Sequence, residues 1–211
     1  AKAIDEVKSK KFQISDISNK VVNRNPSGPF TTSTLQQVSS SRLGFGASRT
    51  MQIAQKLYQG IEIEGEIIGL ITYMRTDGTN LSTDAIDTFR KYIKSEFGEE
   101  YMPDRPASYA GKKAKNAQEA HEAIRPTDIM RAPEAVKKYL SSDQVKLYDL
   151  IWNRALSSQM RPAQFDRNTI TISSSDNVTI CKATGSVIKF DGFLRVMKDN
   201  KKDEDENILP E

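Results

Sequence analysis

The chain has 211 residues, of which 37% are hydrophobic and 28% charged, a balance typical of a folded globular protein and not of a disordered chain. No run approaches the roughly 18–20 apolar residues of a membrane span, and residues 1–6 lack the pattern of a signal peptide. The net charge is +3, and because residues 198–211 carry −3, residues 1–197 carry +6, which suits a polyanionic partner.

The first 29 residues are predicted to form a strand followed by a linker. Up to about Arg24 the chain is rich in lysine and shows partial alternation of apolar residues, which indicates a strand. The sequence Asn25-Pro26-Ser27-Gly28-Pro29 is a clear loop signal and a candidate domain boundary.

Helical signatures fill the middle of the chain. Ser33 with Gln36 has the pattern of a capping box, and Ser48, Ser82 and either Ser142 or Asp143 are predicted to cap further helices. The first three of these helices are expected to stop at glycines, namely Gly44, Gly60 and Gly98.

Other segments of the middle region have the patterns of a strand, a loop and a short helix. The run Ile67–Tyr73 is β-branched and nearly all apolar, which predicts a buried strand. Residues 99–118 have the composition of a loop, and Pro133 suits the first turn of a short helix over Glu134–Leu140.

From Phe165 the apolar period changes to two, which predicts β structure. The strands expected there are Thr169–Ser173, Val178–Ala183, Val187–Phe190 and Phe193–Met197. The predicted fold class is therefore α+β, with a mostly helical middle between two β-rich ends.

The cysteine and histidine content limits the chemistry. Cys181 is the only cysteine, which excludes an internal disulfide, fits a reducing cytoplasm and favours a small half-buried residue over a reactive thiol. With His121 as the only histidine, zinc sites of the usual kind are excluded, and we expect no metal ligands. Because the chain does not begin with Met, we expect it to be a segment of a longer protein.

Tyr73 lies in the most informative stretch, Ile71–Asp77. A phenol with a pKa of about 10 is a poor nucleophile at neutral pH, so a reactive tyrosine needs cationic neighbours. On an extended chain Arg75 leaves on the same face as Tyr73, where it can stabilise a phenolate and pair with phosphate oxygens. Asp77 can hold either Arg75 or a threonine hydroxyl in place. The alternative is that Tyr73 is a half-buried packing residue at the end of a strand.

Two further stretches carry residues that suit a phosphate-containing ligand. In Gln118–Thr127, His121 lies beside acids and Arg125, and it can contact phosphate or donate a proton. These residues alone favour the other interpretation, an exposed or capping histidine. In Phe30–Gln37, four hydroxyl groups gather at a helix start, where a phosphate can bind, although capping explains one of them.

These three stretches, in this order and spacing, together with Ser41–Gly46, Leu147–Trp152 and Phe190–Phe193, strongly resemble the bacterial type IA DNA topoisomerases. The resemblance covers most of the chain from about Pro26 to Met197. It departs from the family pattern at Gly78, where relatives often have serine, and at Ile61–Leu70, which looks longer than in some relatives.

The resemblance implies relaxation of negatively supercoiled DNA, acting in the cytoplasm on the nucleoid. Tyr73 matches the nucleophile that forms a 5′-phosphotyrosine with single-stranded DNA, Arg75 the arginine beside the scissile phosphate, and His121 a histidine that helps to hold the DNA. The other residues expected at the substrate are Ser33, Thr34, Gln37, Arg42, Asp77 and Arg125.

The resemblance also implies how the chain divides into domains and which domains of the parent protein lie outside it. Residues 30–157 are expected to form the helical tyrosine domain, inserted between two segments of a β-rich arch or hinge domain, 1–29 and 158–211. The partner domains in the parent chain are the toprim domain, which binds Mg²⁺, and the part completing the toroid. Without them we expect this chain to be inactive and to hold no cofactor. Alternatives are a segment of topoisomerase III or reverse gyrase, which Met74 disfavours, or a non-catalytic DNA-gate or hinge module.

Overall fold

The computed structural model describes residues 7–109 and 122–197. The chain divides into a mainly helical unit, residues 26–161, and a β unit that combines residues 1–25 with residues 162–211. The prediction of a mixed α and β fold is confirmed. The boundaries predicted after residues 29 and 157 lie a few residues from these divisions, and the assignment of the two units to a tyrosine domain and an arch stays a prediction.

The strands of the described residues form two antiparallel sheets. They are β1 (Phe12–Arg24), β2 (Ile61–Ile63), β3 (Glu66–Ile68), β4 (Ala163–Ser174) and β5 (Ile180–Phe190). The sheet of the β unit has the order β1-β4-β5, and β2 and β3 form a hairpin in the helical unit. Facing pairs such as Ile14 with Ile172 and Ile17 with Ile170 set the register of β1 against β4, with an irregularity between Ile14 and Asp16.

Three predictions for the β unit are wrong. The expected break at Gly185 does not occur, because Gly185 pairs with Asn168 of the central strand and lies inside β5. The expected strand Phe193–Met197 begins instead as a 3-10 helix, Gly192–Arg195, in which the amide of Leu194 donates to the main-chain oxygen of Asp191. Cys181 is exposed, not half-buried, since β5 is an edge strand in the described sheet.

The α-helices of the described residues belong to the helical unit. They are α1 (Thr32–Val38), followed by a π-helical turn (Ser39–Leu43), α2 (Ala47–Gln59), α3 (Thr83–Glu96), α4 (Pro133–Val136) and α5 (Ser142–Ser157). Short 3-10 helices lie at Glu99–Tyr101 and at Lys137–Tyr139, so the helix predicted over Glu134–Leu140 is an α-helical turn followed by a 3-10 turn. Within these residues no helix is both long enough and apolar enough to cross a membrane.

The predicted caps are correct for α3 and displaced for other helices. The Ser82 hydroxyl accepts a hydrogen bond from the amide of Ala85, as predicted. The capping box of α1 is made by Thr31 with Thr34 and not by Ser33 with Gln36, because Thr31 has the extended backbone that an N-cap requires. Ser141 caps α5 for the same reason, and Gly46 precedes α2, so Ser48 is not its cap.

The core of the helical unit packs around α5. Leu147, Tyr148 and Ile151 of this helix are fully buried. The Tyr148 hydroxyl donates to the main-chain oxygen of Arg131 (2.8 Å), and the Trp152 indole donates to that of Ile129 (3.0 Å). Burial raises the pKa of Tyr148 above its ordinary value, so this phenol stays protonated and keeps donating.

Candidate active site around Tyr73

The backbone that leads to Tyr73 is held by an antiparallel partner segment. The amide of Thr72 donates to the main-chain oxygen of Arg125 (2.9 Å), and the amide of Arg125 donates back to the Thr72 hydroxyl oxygen (3.0 Å). The Thr72 hydroxyl in turn donates to the main-chain oxygen of Ala123 (2.7 Å), and the amide of Thr127 donates to that of Leu70 (3.0 Å). These bonds fix the chain immediately before Tyr73.

The backbone after Tyr73 is held by the first residue of α1. The amide of Thr32 donates to the main-chain oxygen of Thr76 (2.9 Å), and the amide of Thr76 donates to the Thr32 hydroxyl oxygen (2.9 Å). The same hydroxyl donates to the main-chain oxygen of Met74 (2.8 Å). The segment carrying Tyr73 and Arg75 is therefore anchored on both sides although it belongs to no regular strand.

The predicted strand Ile67–Tyr73 is only partly correct. Residues 66–68 form β3, whose turn to β2 places Glu64 and Gly65 at positive φ, and Ile67 is 79% exposed instead of buried. Leu70 and Ile71 are buried as predicted, and Ile71 forms an isolated bridge with Pro126. Gly69 divides the run into the second strand of a hairpin and a short bridged segment.

Exposure alternates along the segment, as expected for extended backbone. Tyr73, Arg75 and Asp77 are exposed, whereas Met74 and Thr76 are buried. Tyr73 and Arg75 are thus both exposed, while the prediction that they leave on the same face stays a prediction. The predicted contact between Asp77 and Arg75 is not formed, since neither residue makes an ion pair with any described residue.

The Tyr73 ring contacts a second tyrosine. The ring centroids of Tyr58 and Tyr73 lie 5.3 Å apart at an interplanar angle of 61°, an edge-to-face arrangement. Tyr58 lies near the end of α2 and is itself exposed. Tyr58 could not be identified from the sequence, because it is one of seven tyrosines and its distance from Tyr73 depends on the fold of the hairpin between them.

Arg125, predicted to contact substrate, is engaged within the protein. Its guanidinium pairs with the carboxylate of Glu122 at 2.5 Å and donates to the main-chain oxygen of Pro126 at 3.0 Å. Its side chain is only 13% exposed. These contacts support the segment that pairs with Thr72, so the geometry favours a positioning role over direct contact with a ligand.

The remaining predicted residues lie on or beside α1. Ser33, Gln37 and Arg42 are exposed, whereas the Thr34 hydroxyl is occupied in the capping box with Thr31. Because Thr32 binds the segment after Tyr73, the first turn of α1 lies next to that segment. His121 and Glu119 lie outside the described residues.

A second arginine, Arg154 of α5, was not identified from the sequence. Its Nε donates to the main-chain oxygen of Gly28 (2.6 Å), and its guanidinium lies over the Phe30 ring, 4.9 Å from the centroid. Burial lowers the pKa of Arg154, and the nearby positive charge of Arg42 lowers it further. The π-helical turn and α5 therefore bring two positive charges close together, which favours binding of an anion.

Within 7–109 and 122–197, no three histidine, cysteine, aspartate or glutamate side chains gather in a way that could hold a metal ion. The arrangement around Tyr73 instead combines an exposed phenol, an exposed guanidinium and a rigid backbone. Such a set can present a nucleophile to a phosphate group.

The known proteins that this chain is similar to are DNA topoisomerases. The family described as "DNA topoisomerase" matches residues 1–211. DNA topoisomerase 1 from Rickettsia bellii is 47% identical over 209 residues, which are 98% of this chain and 26% of that protein. DNA topoisomerase 1 from Haemophilus influenzae is 44% identical over 208 residues, which are 99% of this chain and 22% of that protein.

A solved structure agrees with these relatives. Full-length topoisomerase I from Thermotoga maritima superposes with a TM-score of 0.83 at 39% identity, covering 100% of this chain and 33% of that one. The chain thus spans about a quarter of the length of the curated relatives and a third of this structure. Because the family match extends over all 211 residues, the chain belongs to the bacterial type IA DNA topoisomerase family.

Proposed function

We propose that this chain supplies the nucleophile-bearing part of a type IA topoisomerase that relaxes negatively supercoiled DNA. The observation that carries the proposal is the exposed pair of Tyr73 and Arg75 on a segment anchored at both ends. An anchored backbone limits the orientations that the phenol can take, which is the contribution a protein makes to a displacement at phosphorus. The family membership of the chain supports the same assignment.

In the proposed reaction the Tyr73 oxygen attacks a phosphodiester of single-stranded DNA. A bond forms between that oxygen and phosphorus, and the bond from phosphorus to the 3′ oxygen breaks. The phenol loses its proton, and the departing 3′ oxygen takes up a proton to become a hydroxyl. The 5′-phosphotyrosine ester keeps the bond energy, so the hydroxyl can reverse the step after another strand has passed, without a high-energy cofactor.

Arg75 is proposed to neutralise the phosphate that Tyr73 attacks. A free phenol has a pKa of about 10, so forming the phenolate near pH 7 costs roughly 4 kcal/mol without a cationic neighbour. A planar guanidinium can bind two phosphate oxygens at once and withdraw charge as the new bond forms. Arg75 is exposed and makes no ion pair with any described residue, which leaves it available for this role.

The other predicted residues are proposed to hold DNA or support the site. His121 is proposed to help hold the DNA near the scissile phosphate. Exposed Ser33, Gln37 and Arg42 are proposed to bind its backbone. The residues proposed to support the site are Thr34, Asp77 and Arg125.

We propose that Mg²⁺ acts in the whole enzyme and is held by its toprim domain. Among the described residues, no three histidine, cysteine, aspartate or glutamate side chains lie together in a way that could hold the ion. On this proposal the chain needs its toprim and toroid partners to act on DNA. The proposed setting is the cytoplasm, with the nucleoid as the place of action.

The test is covalent trapping in the full-length enzyme, comparing Tyr73 with Tyr73→Phe. Each protein is mixed with 3′-labelled single-stranded DNA and Mg²⁺, denatured and separated on a gel. Label retained with tyrosine and lost with phenylalanine supports the proposal, including its 5′ polarity. Tyr139→Phe is a matched control, because it also removes one phenol oxygen, here one that donates to Glu64.

Equal trapping by both proteins would remove Tyr73 from the chemistry. DNA binding without trapping by either protein would favour the alternative of a non-catalytic gate or hinge module. The relatives from Rickettsia and Haemophilus, which are named DNA topoisomerase 1, favour that enzyme over topoisomerase III or reverse gyrase as the parent.

A further inference from the structure

Arg154 of α5 is a half-buried arginine with no acidic partner among the described residues. Its Nε donates to the main-chain oxygen of Gly28, and its guanidinium lies over the Phe30 ring. The terminal nitrogens, Nη1 and Nη2, donate to no described residue. Ser39 Oγ is the only buried side-chain nitrogen or oxygen of the described residues that lacks a partner, so both terminal nitrogens of Arg154 reach solvent. The guanidinium is therefore fixed at one edge and open to a ligand at the other.

A second arginine, Arg42, adds its charge to this open edge. The π-helical turn that carries Arg42 packs against α5, and Arg42 is exposed and forms no ion pair with any described residue. Burial lowers the pKa of Arg154 and the positive charge of Arg42 lowers it further, which means that the two guanidiniums repel each other. An anion bound between two such charges removes this repulsion and compensates the half-buried one.

We propose that Arg154 and Arg42 together bind one phosphate of the DNA backbone, distinct from the phosphate that Tyr73 attacks. This proposal rests on the proposed function, since DNA is the ligand that supplies the phosphate. Because Nε is bound to Gly28, the edge formed by Nη1 and Nη2 is left, and it can donate to two phosphate oxygens at once. The Phe30 ring holds the guanidinium plane in place, so little side-chain freedom is lost when the phosphate binds.

The proposed site is joined to the segment that carries Tyr73 through the start of α1. Phe30, on which Arg154 packs, lies two residues before Thr32. The Thr32 hydroxyl holds the segment after Tyr73 with hydrogen bonds of 2.8 and 3.1 Å. The phosphate bound by Arg154 is thus held on the same unit as the nucleophile, while Arg75 is left for the phosphate under attack.

The test measures binding of a fluorescent single-stranded oligonucleotide to the full-length enzyme by anisotropy at several salt concentrations. All proteins carry Tyr73→Phe, so that covalent attachment at Tyr73 cannot contribute. Arg42→Gln and Arg154→Gln should each weaken binding roughly 3- to 10-fold at about 0.1 M salt. Because both side chains hold the same phosphate, the double variant should weaken binding by less than the product of the two single effects. Its slope of log affinity against log salt should be shallower by about 0.7, the value for one phosphate of a single strand.

Arg49→Gln is the matched control, because Arg49 is exposed on α2 but already paired with Asp143. It should stay within about 2-fold of the parent affinity, since a charge neutralised within the protein releases few counterions from DNA. Arg154→Lys keeps the charge but not the planar fork, so it should give a smaller loss than Arg154→Gln. If Arg154→Gln does not fold, Arg154→Lys takes its place in the comparison of single and double effects.

Two results would overturn the proposal. One is an unchanged affinity and salt slope in both single variants, which would exclude a DNA phosphate from this site. The other is a double variant equal to the product of the single effects, with a slope shallower by about 1.4, which would mean that the two arginines bind separate phosphates. The proposed function fails separately, through trapping that persists in Tyr73→Phe, because the binding experiment does not depend on cleavage.

Discussion

The Thr32 hydroxyl holds the segment after Tyr73, so replacing it provides a direct measure of that anchor. Thr32→Val keeps the shape of the side chain but removes the acceptor for the Thr76 amide and the donor to the main-chain oxygen of Met74. Thr31 caps α1 and stays unchanged, so the helix start keeps its capping box. The variant therefore tests the anchor and leaves the cap intact.

The expected loss can be worked out from these contacts. Thr76 is 7% exposed, so its amide has little access to water once the hydroxyl is gone, and an unsatisfied buried donor costs about 1–3 kcal/mol. With the second hydrogen bond, which contributes about 0.5–1.5 kcal/mol, the total is about 1.5–4.5 kcal/mol. For the unit of residues 26–161 this corresponds to a melting temperature lower by roughly 5–16 °C.

Denaturant unfolding of the chain, monitored by circular dichroism, measures this loss. Thr88→Val is the matched control, because Thr88 also donates to a main-chain oxygen, that of Asp84, but is exposed to water. The control should stay within about 0.5 kcal/mol of the parent free energy of unfolding. A Thr32→Val variant as stable as the control would refute the reasoning, since the anchor would then contribute nothing measurable.

Three further predictions concern other contacts. Glu122→Gln should destabilise the helical unit by about 1–3 kcal/mol, because it leaves the largely buried Arg125 guanidinium without its carboxylate. Glu134→Gln, which removes the carboxylate of an exposed ion pair with Lys137, should cost under about 1 kcal/mol in the same unfolding experiment. Gly69→Ala should cost about 1–3 kcal/mol by pushing a Cβ against the Tyr58 main-chain oxygen, whereas Gly46→Ala, with open space around it, should cost under about 1 kcal/mol by thermal unfolding. Hydrogen bonds from Ser174, Lys10 and the Val178 amide lower the pKa of Asp176. The stability that Asp176 contributes to the β unit is therefore present above the unfolded pKa of about 4 and is lost as the pH falls below it. In an acid titration, Asp176→Asn should lose less stability between about pH 4 and pH 2 than the parent.

The sequence predicted most of the regular structure, and its errors have a common physical origin. The helix at Ser82 and the strand up to Arg24 were predicted closely, because a capping serine and an apolar period are local signals. Gly185 was read as a turn, yet a ladder with the central strand β4 runs through it. Such pairing depends on residues far away in the chain, and it overrides a local preference of roughly 1 kcal/mol or less.

The site shows the same division between local and distant causes. The alternation that exposes Tyr73 and Arg75 is local and could be predicted. The ion pair of Arg125 with Glu122 could not be predicted, because the sequence does not show whether an arginine is paired within the protein. Tyr58 is the clearest case, since its ring contacts Tyr73 and a Cβ at Gly69 would lie only 2.7 Å from its main-chain oxygen. The sequence holds no motif that links these three residues. The neighbours of a reactive group are thus harder to find from sequence than the group itself, because their contacts depend on where the fold places them.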